Sequence, residues 1–350
     1  MKKYQASDLE KICTEVLKGY GVKEEYAKTA ASVMISANLR GIDSHGVAYL
    51  PIYVERIKRG VVDPKAEPEI LNETTNTAIV DGKNGLGQVS AVRAMNLAVE
   101  KALSANVGLV GVRNSGHFGM VSYYTMVAAK RNCIGLAMTN APSSVAPFGG
   151  MEPLFGTNPL SFAFPVRNKP HIVIDFATSA IARTKLRNMA EEKKEIPEGL
   201  ALNKDGYPAK TADEGYKGVL LPAAGVKGYG LAIIVEILSA VITGAAFTSQ
   251  VGGLVDDFTR SQNVGHFLGA ISIESFLPME EYYNRMDQFI ETIKKVKPMP
   301  GVQEILYPGE LEVYNEAIRE SDGIPVADSV MEKIRKCMAD LNLQLNIEGV

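Results

Sequence analysis

The chain has 350 residues and a mass of 37.8 kDa, with 46% hydrophobic and 22% charged residues. That length suggests two domains or one large one, and that balance excludes an intrinsically disordered chain. With 37 Lys+Arg against 40 Asp+Glu, a net charge of −3 and a pI near 5.9, it has no electrostatic footprint for nucleic acid or an anionic membrane.

The first 60 residues read as helical. Ser7 and Glu10 form a capping-box pattern ahead of Leu9, Ile12, Cys13, Val16 and Leu17 at helical spacing. A second helix is expected at about 23–40 and a third at about 47–59, each stopped by glycine, with Asp43-Ser44-His45-Gly46 between them. From about residue 77 short apolar runs alternate with helical patterns. Strands are expected at 78–80, 107–112, 134–138, 160–164 and 172–176, and helices at 88–106 and 119–132. A helical stretch near Thr178 gives way to loop through 196–221. An apolar helix then covers 228–247, its Glu236 and its length arguing for a buried core helix over a membrane span. A strand at 267–273, an amphipathic helix at 279–296 and helices at 311–319 and 326–341 complete the chain.

This pattern predicts an α/β fold: a mixed sheet with helices on its faces, plus a helical unit built from both termini. The boundaries are 1–75 with 311–350 for the helical domain, and 76–310 for the α/β domain, with a helical insertion around 180–250. Cys13, Cys133 and Cys337 are far apart and predict neither a disulfide framework nor a zinc site. The start, MKKYQASDLEK, lacks the apolar stretch of a signal peptide, so a soluble cytoplasmic protein is expected. The dinucleotide fingerprint G-x-G-x-x-G, the P-loop, H-E-x-x-H and G-x-S-x-G are all missing from the sequence.

Four constellations could carry chemistry. Arg113-Asn114-Ser115-Gly116-His117-Phe118-Gly119 follows a strand and precedes a helix, where α/β sheets bind ligands. A nearby helix N-terminus would keep His117 neutral and able to accept a proton, and a plain surface loop weighs equally. Around His45, Asp43 or Ser44 could cap the next helix and leave the histidine a bystander. Gly225-Val226-Lys227-Gly228-Tyr229-Gly230 opens the apolar helix. Free N–H groups and the Lys227 charge there suit a cofactor phosphate, against simple helix punctuation. Asp175-Phe176-Ala177-Thr178-Ser179 ends a strand. Thr178 and Ser179 suit capping, and Asp175 could bond a ribose or nicotinamide amide. His171 and His266 read as structural, with no polar cluster beside them in sequence. Together these features favour a small-molecule enzyme with a phosphate-bearing cofactor.

D-S-H-G at 43–46, R-N-S-G-H-F-G at 113–119, V-A-P-F-G-G at 145–150 and G-T-N-P at 156–159 resemble the malate/L-lactate/sulfolactate dehydrogenase family. So do D-F-A-T-S at 175–179, I-P-E-G at 196–199 and K-G-Y-G-L at 227–231, in family order over nearly the whole chain. The resemblance implies a non-Rossmann, NAD(P)-dependent oxidoreductase acting on a small 2-hydroxy or 2-oxo acid, as a homodimer or higher homo-oligomer; an NADPH-dependent reductase of a 2-oxo or cyclic imino acid is the same-class alternative, and the lack of paired His or carboxylate spacing argues against a bound metal. L-L-P-A-A-G-V-K-G-Y-G at 220–230, D-D-F at 256–258 and P-M-P-G at 298–301 with Y-P-G at 307–309 look most like its ureidoglycolate-oxidising branch, which uses NAD. The resemblance makes His117 and His45 the acid/base candidates. It puts substrate contacts at Ser44, Tyr49, Tyr53 and Lys185. Cofactor contacts fall at Ala141, Asp175, Phe176, Ala177, Thr178, Lys227, Gly228, Pro308, Gly309 and Glu310. Many family members carry Arg four residues after the first His, where this chain has Tyr49; Arg56, Arg113 or Lys185 could compensate.

Overall fold

A computed structural model describes residues 1–344 and 349. The end of the expected helical tail, 345–348 and 350, lies outside the described residues. The chain opens with strand β1 (Lys2–Tyr4) and helices α1 (Ala6–Gly19) and α2 (Glu24–Leu39). Single 3-10 turns at Asp43–His45 and Val47–Tyr49 lead into α3 (Leu50–Lys58). Then come β2 (Glu69–Glu73), β3 (Thr77–Asp81), α4 (Gly87–Ala105), β4 (Val107–Ser115), α5 (Ser122–Ala129), β5 (Cys133–Thr139), β6 (Leu160–Phe164) and β7 (Ile172–Phe176). An excursion holds α6 (Arg183–Glu191), β8 (Ala201–Leu202), α7 (Ala212–Lys217), β9 (Val219–Leu220) and α8 (Val226–Glu236). The chain returns through β10 (Val264–Ser272), and α9 (Met279–Lys294), α10 (Glu310–Asp322), β11 (Ile324–Val326) and α11 (Asp328–Ala339) follow.

Seven strands form one mixed sheet in the order β2-β3-β4-β10-β5-β6-β7. Only β3 and β4 pair in parallel; every other pair is antiparallel. The strands β3, β4, β5 and β7 therefore run in one direction. Their carboxyl ends share an edge with the starts of β10 and β6. Strand β10 enters between β4 and β5 from far along the chain, which sets this sheet apart from a Rossmann sheet. The crossover helix α4 lies so close to β4 that a Cβ at Gly108 would sit 2.0 Å from the Ala98 carbonyl oxygen. Ala91, Ala94, Ala98 and Ala102 of α4 pack with Val110 and Val112 of β4 and Leu268 of β10 in one core.

The terminal segments share a second core. Leu9, Leu17, Met34 and Leu50 meet Ile324, Met331 and Ile334, and β1 pairs with β11. Each such side chain contributes about 1.5–3 kcal/mol when fully buried. A third cluster joins Val145, Leu186, Ile196, Leu220 and Ala232 under the excursion. Among the described residues, no helix is long and apolar enough to cross a membrane.

Several local expectations are corrected. The cap of α1 is Gln5, with no side-chain bond, and Ser7 sits inside the first turn. The β1–β11 pairing, and not a capping box, sets where that helix begins. Helix α5 starts three residues later than expected from 119, because Phe118–Val121 remain loop. The apolar helix passes into a π turn at Ile237–Val241 and ends well before 247, since Gly244 adopts φ +78°. Strand β10 starts at Val264, and β1, β2 and β11 carry little apolar signal of their own.

Candidate active site

The edge where β4, β5 and β10 converge carries a cleft. Its lining includes His45, His117, Thr139, Asn140, Ala141, Thr157, Leu254 and Gln262. Strand β4 delivers His117, two residues past its end, and the Gln262 side chain accepts a bond from the His117 backbone N–H at 3.0 Å. The helical core delivers His45 from the opposite side. Its ring lies 5.7 Å from the His117 ring and 16° from parallel. Tyr49 stacks on His117 at 4.6 Å, and the Tyr53 hydroxyl is 2.7 Å from His117 Nδ1. Two segments more than 60 residues apart in sequence thus place two imidazoles and two phenols in one aromatic wall.

The turn bearing His45 is held from three directions. Asn38 Nδ2 donates to Asp43 Oδ1 at 2.6 Å, and the Val47 N–H donates to Asn38 Oδ1 at 2.8 Å. Arg319 of α10 grips both Asp43 oxygens, at 2.7 and 3.0 Å. Gly46 is required here, because a Cβ would overlap the Asn38 amide at 2.0 Å. Neither Asp43 nor Ser44 caps the next helix: the first pairs with Arg319, and Ser44 Oγ lies 3.0 Å from His45 Nδ1.

Burial lowers the His45 pKa to about 4. His117 is held well below the ordinary imidazole value by burial, then by His45 and His266. Both residues are partly buried and line the cleft. Both are therefore neutral near pH 7 and able to accept a proton. The cause is desolvation, where a helix N-terminus was expected. Tyr53 is pushed well above the usual phenol range by burial.

Of the remaining candidates, Ala141 lines this cleft and Thr178 and the Lys227–Gly228 turn are tied to it by hydrogen bonds, whereas Pro308–Glu310 pack against His171 and Val173 at the start of β7. The Ala141 N–H donates to Asn158 Oδ1 at 3.2 Å, and both the N–H and hydroxyl of Thr178 donate to the Thr157 carbonyl. The Ala223 N–H then donates to the Thr178 carbonyl at 2.9 Å, which brings the Lys227–Gly228 turn alongside. No side chain caps the start of α8, and Lys227 is exposed. Phe176 is half-exposed and Ala177 partly buried beside it. Asp175 caps α5 by accepting from the Ser122 N–H at 2.8 Å. Pro308 accepts from the Val173 N–H, Gly309 begins α10, and the Glu310 carboxylate turns inward to Lys294 at 2.6 Å.

Sequence and structure comparisons agree on this architecture. The family model described as malate/L-lactate dehydrogenase matches residues 4–335. A malate/(S)-sulfolactate dehydrogenase of Methanothermus fervidus is 39% identical over 95% of this chain and 96% of its own. The chain belongs to the malate/L-lactate dehydrogenase family. An Escherichia coli ureidoglycolate dehydrogenase (NAD(+)) is 35% identical over 89% of each chain. The solved sulfolactate dehydrogenase of Methanocaldococcus jannaschii superposes with a TM-score of 0.93 at 38% identity, covering 98% of both chains. The protein is thus a 2-hydroxy acid dehydrogenase of this family.

In this dehydrogenase the cations suggested as substitutes at Tyr49 lie elsewhere. Arg56 is buried and donates to the carbonyls of Gly253, Leu254, Asp257 and Arg260, pinning the loop that supplies Leu254 and Gln262. Arg113 pairs with Asp81. Lys185 is exposed on α6, and the charge that acts on Tyr49 comes from Arg187, two residues on: burial raises the Tyr49 phenol and Arg187 pulls against it.

Three buried groups at the dehydrogenase site had no sequence signal. Glu236 accepts from Asn140 Nδ2 at 3.3 Å, Asn158 Nδ2 at 2.6 Å and the Thr248 N–H at 2.6 Å. Gln88 is fully buried, and neither atom of its amide has a hydrogen-bond partner. His266, expected to lack polar neighbours, bonds Thr139 Oγ1 and Ser115 Oγ at 2.8 Å each and stacks on Phe118. Only the fold, which inserts β10 between β4 and β5, creates that cluster. His171 accepts from the Val166 N–H and has the structural place expected of it.

Proposed function

We propose that this dehydrogenase moves hydride between a small 2-hydroxy acid and a nicotinamide dinucleotide, with His117 as the proton acceptor, acting in the cytoplasm as a homodimer or higher homo-oligomer. The observation carrying the chemistry is the His117 ring lining the cleft, its Nδ1 held 2.7 Å from the Tyr53 hydroxyl. In the oxidative direction His117 takes the hydroxyl proton at Nε2 as the carbon–hydrogen bond breaks. His45, parallel to it, packs against the same substrate oxygen or carboxylate. A nicotinamide dinucleotide held by the residues named below would supply the hydride acceptor.

The residues present fit such a cofactor. The uncapped α8 N-terminus and exposed Lys227 suit a diphosphate, with Gly228 allowing the tight turn, since a Cβ there would meet the Ala223 oxygen at 2.2 Å. Ala141 lines the cleft, and the buried Thr178 ties Thr157 of that lining to the turn. The backbone of Phe176–Ala177 leads into Thr178, Pro308–Gly309 lie at the start of β7, and Asp175 and Glu310 act only by holding α5 and α10 in place.

For the substrate we favour ureidoglycolate, oxidised to oxalurate with NAD. Among the described residues, the cleft lining has neutral polar groups, Thr139, Asn140, Thr157 and Gln262, and no Lys or Arg. One carboxylate can lie near Ser44, Tyr49 and Tyr53 within the field of Arg187. The other end of the substrate then meets amide-compatible groups, which suit a urea better than a second anion. Malate or sulfolactate is the second reading, favoured by the 39% identity to the Methanothermus relative. Turnover of ureidoglycolate, malate, sulfolactate and lactate, each with NAD and NADP, decides between them. A kcat/KM for malate or sulfolactate above that for ureidoglycolate overturns the first reading. Half-exposed Ile234, Ile237, Val241 and Ile242 on the α8 segment support an oligomer, and a monomeric mass in light scattering would refute it.

A further inference from the structure

His117 sits in a turn whose two flanks meet one buried side chain, His266 of β10. The His266 Nε2 atom lies 2.8 Å from the Ser115 hydroxyl, two residues before His117. Its ring stacks on Phe118, one residue after His117, at 4.3 Å and 8° from parallel. Its Nδ1 atom lies 2.8 Å from the hydroxyl of Thr139, which lines the cleft. The pairing of β10 with β4 shifts register between Val264 and His266, and Asn114 takes φ +50° at that shift. Such irregularities re-aim side chains beside active sites. One imidazole thus touches both flanks of His117 and a residue of the cleft wall.

The hydrogen bonds of this cluster have a direction. Burial lowers the His266 pKa to about 3, so the ring is neutral and holds one proton. The Thr139 hydroxyl has two carbonyl oxygens in reach, those of Asn140 and Gly265, at 3.0 Å each. It donates to one of them and accepts from the His266 Nδ1–H. The Nε2 lone pair is then free to accept from the Ser115 O–H. In the reverse order Nε2–H donates to Ser115, whose own hydroxyl proton has no acceptor among the described residues. Buried donors are rarely left in that state. The chain therefore runs from Ser115 through His266 to Thr139 and ends on a main-chain carbonyl.

We propose that His266 is a positioning residue that sets the His117 ring in the cleft by gripping Ser115 and Phe118, as the middle member of this directed chain. This rests on His117 being the acid/base group. Other bonds hold the same turn, from the His117 N–H to Gln262 Oε1 at 3.0 Å and from the Tyr124 hydroxyl to the Phe118 carbonyl. Loss of the imidazole bonds therefore displaces the turn without releasing it. A reacting group misplaced by about 1 Å loses about a hundredfold in rate, so the effect falls on kcat.

The first test is the ring-nitrogen NMR signature of His266 in the [15N]histidine-labelled whole protein without ligand, assigned as the signal that persists in His45→Gln, His117→Gln and His171→Gln. The proton is expected on Nδ1, and a proton on Nε2 overturns the directed chain. The second is a kinetic cycle with the most active of ureidoglycolate, malate, sulfolactate and lactate. His266→Phe keeps a ring against Phe118 and removes both hydrogen bonds. It is expected to lower kcat about tenfold to a hundredfold and to change KM less than about threefold. In a His117→Gln background it should lower kcat less than about twofold, because the group it positions is gone. An equal loss in both backgrounds means that His266 serves packing alone and overturns the proposal. Should His266→Phe not fold, Ser115→Ala cuts one link of the chain and carries the same cycle, with an expected loss in kcat of about threefold to tenfold; an unchanged kcat there also overturns it. The NMR arm needs no substrate, and His117→Gln alone reads the acid/base assignment, so failure of the positioning role is distinguishable from failure of the 2-hydroxy acid reading.

Discussion

Glu236→Gln perturbs the site from behind the cleft wall, through Asn140 and Asn158. The Glu236 Oε1 atom accepts from Asn140 Nδ2 at 3.3 Å and the Thr248 N–H at 2.6 Å, and Oε2 accepts from Asn158 Nδ2 at 2.6 Å. All these partners are donors, which suits a carboxylate and not an amide. A glutamine can keep its oxygen toward Asn140 and Thr248, but its NH2 then faces the Asn158 NH2. Relief comes from flipping the Asn158 amide. That flip breaks the bond from the Ala141 N–H to Asn158 Oδ1 at 3.2 Å and the bond from Asn158 Nδ2 to the Ala232 carbonyl at 3.2 Å. One charge-assisted bond of about 1.5–3 kcal/mol and two neutral ones of about 1 kcal/mol are lost, and one neutral bond is regained, so the net cost is about 3 kcal/mol. Urea unfolding followed by circular dichroism measures it, the chain having no tryptophan. Because Ala141 lies on the proposed cofactor path, NADH titration by its own fluorescence should show weaker binding as well. A stability loss below about 1 kcal/mol with unchanged NADH affinity would refute this reasoning.

Arg56→Met leaves four part-buried carbonyls without their donor and should loosen the loop around Leu254 and Gln262, seen as faster proteolytic cleavage there and a lowered Tm; an unchanged cleavage rate would contradict this. Arg187→Gln should raise KM for the 2-hydroxy acid about tenfold with little change in kcat, as for loss of a charged contact to a carboxylate, and an unchanged KM would remove Arg187 from the substrate site. The pH profile of oxidation follows from the histidines. A base works deprotonated, and burial lowers His45 to about 4 and His117 well below 6.5, so kcat/KM should stay level as pH falls from 7 through 6. A midpoint near 6.5 would mean that the catalytic base is an unshifted histidine.

Sheet strands with strong apolar runs were legible in the sequence: 160–164 and 172–176 are the observed β6 and β7. Their signal is local, since each buries a face whatever its partner. Strands β1, β2 and β11 were not legible, because they are short or exposed and exist only through pairing. The glycine-bounded strings drew attention to His45 and His117, which the structure brings to one cleft, and Gly46 and Gly119 are required beside them by close approach and a positive φ. The 5.7 Å juxtaposition of the two rings was out of reach, as it depends on docking the helical core against the sheet edge. Asp175 shows the same limit: a carboxylate at a strand end reads alike as a ligand or a cap, and only α5 reveals the cap. Gln88, Glu236 and His266 lie in unremarkable helix and strand sequence, and burial alone turns them into parts of the site.

The central claim is that His117 takes the substrate proton during hydride transfer to NAD(P). The most direct test is kcat/KM for 2-hydroxy acid oxidation in His117→Gln beside His45→Gln, with folding checked by circular dichroism. The geometry predicts a loss of at least about a hundredfold for His117→Gln, and a smaller one for His45→Gln. Turnover within about tenfold of the parent in His117→Gln would contradict the claim.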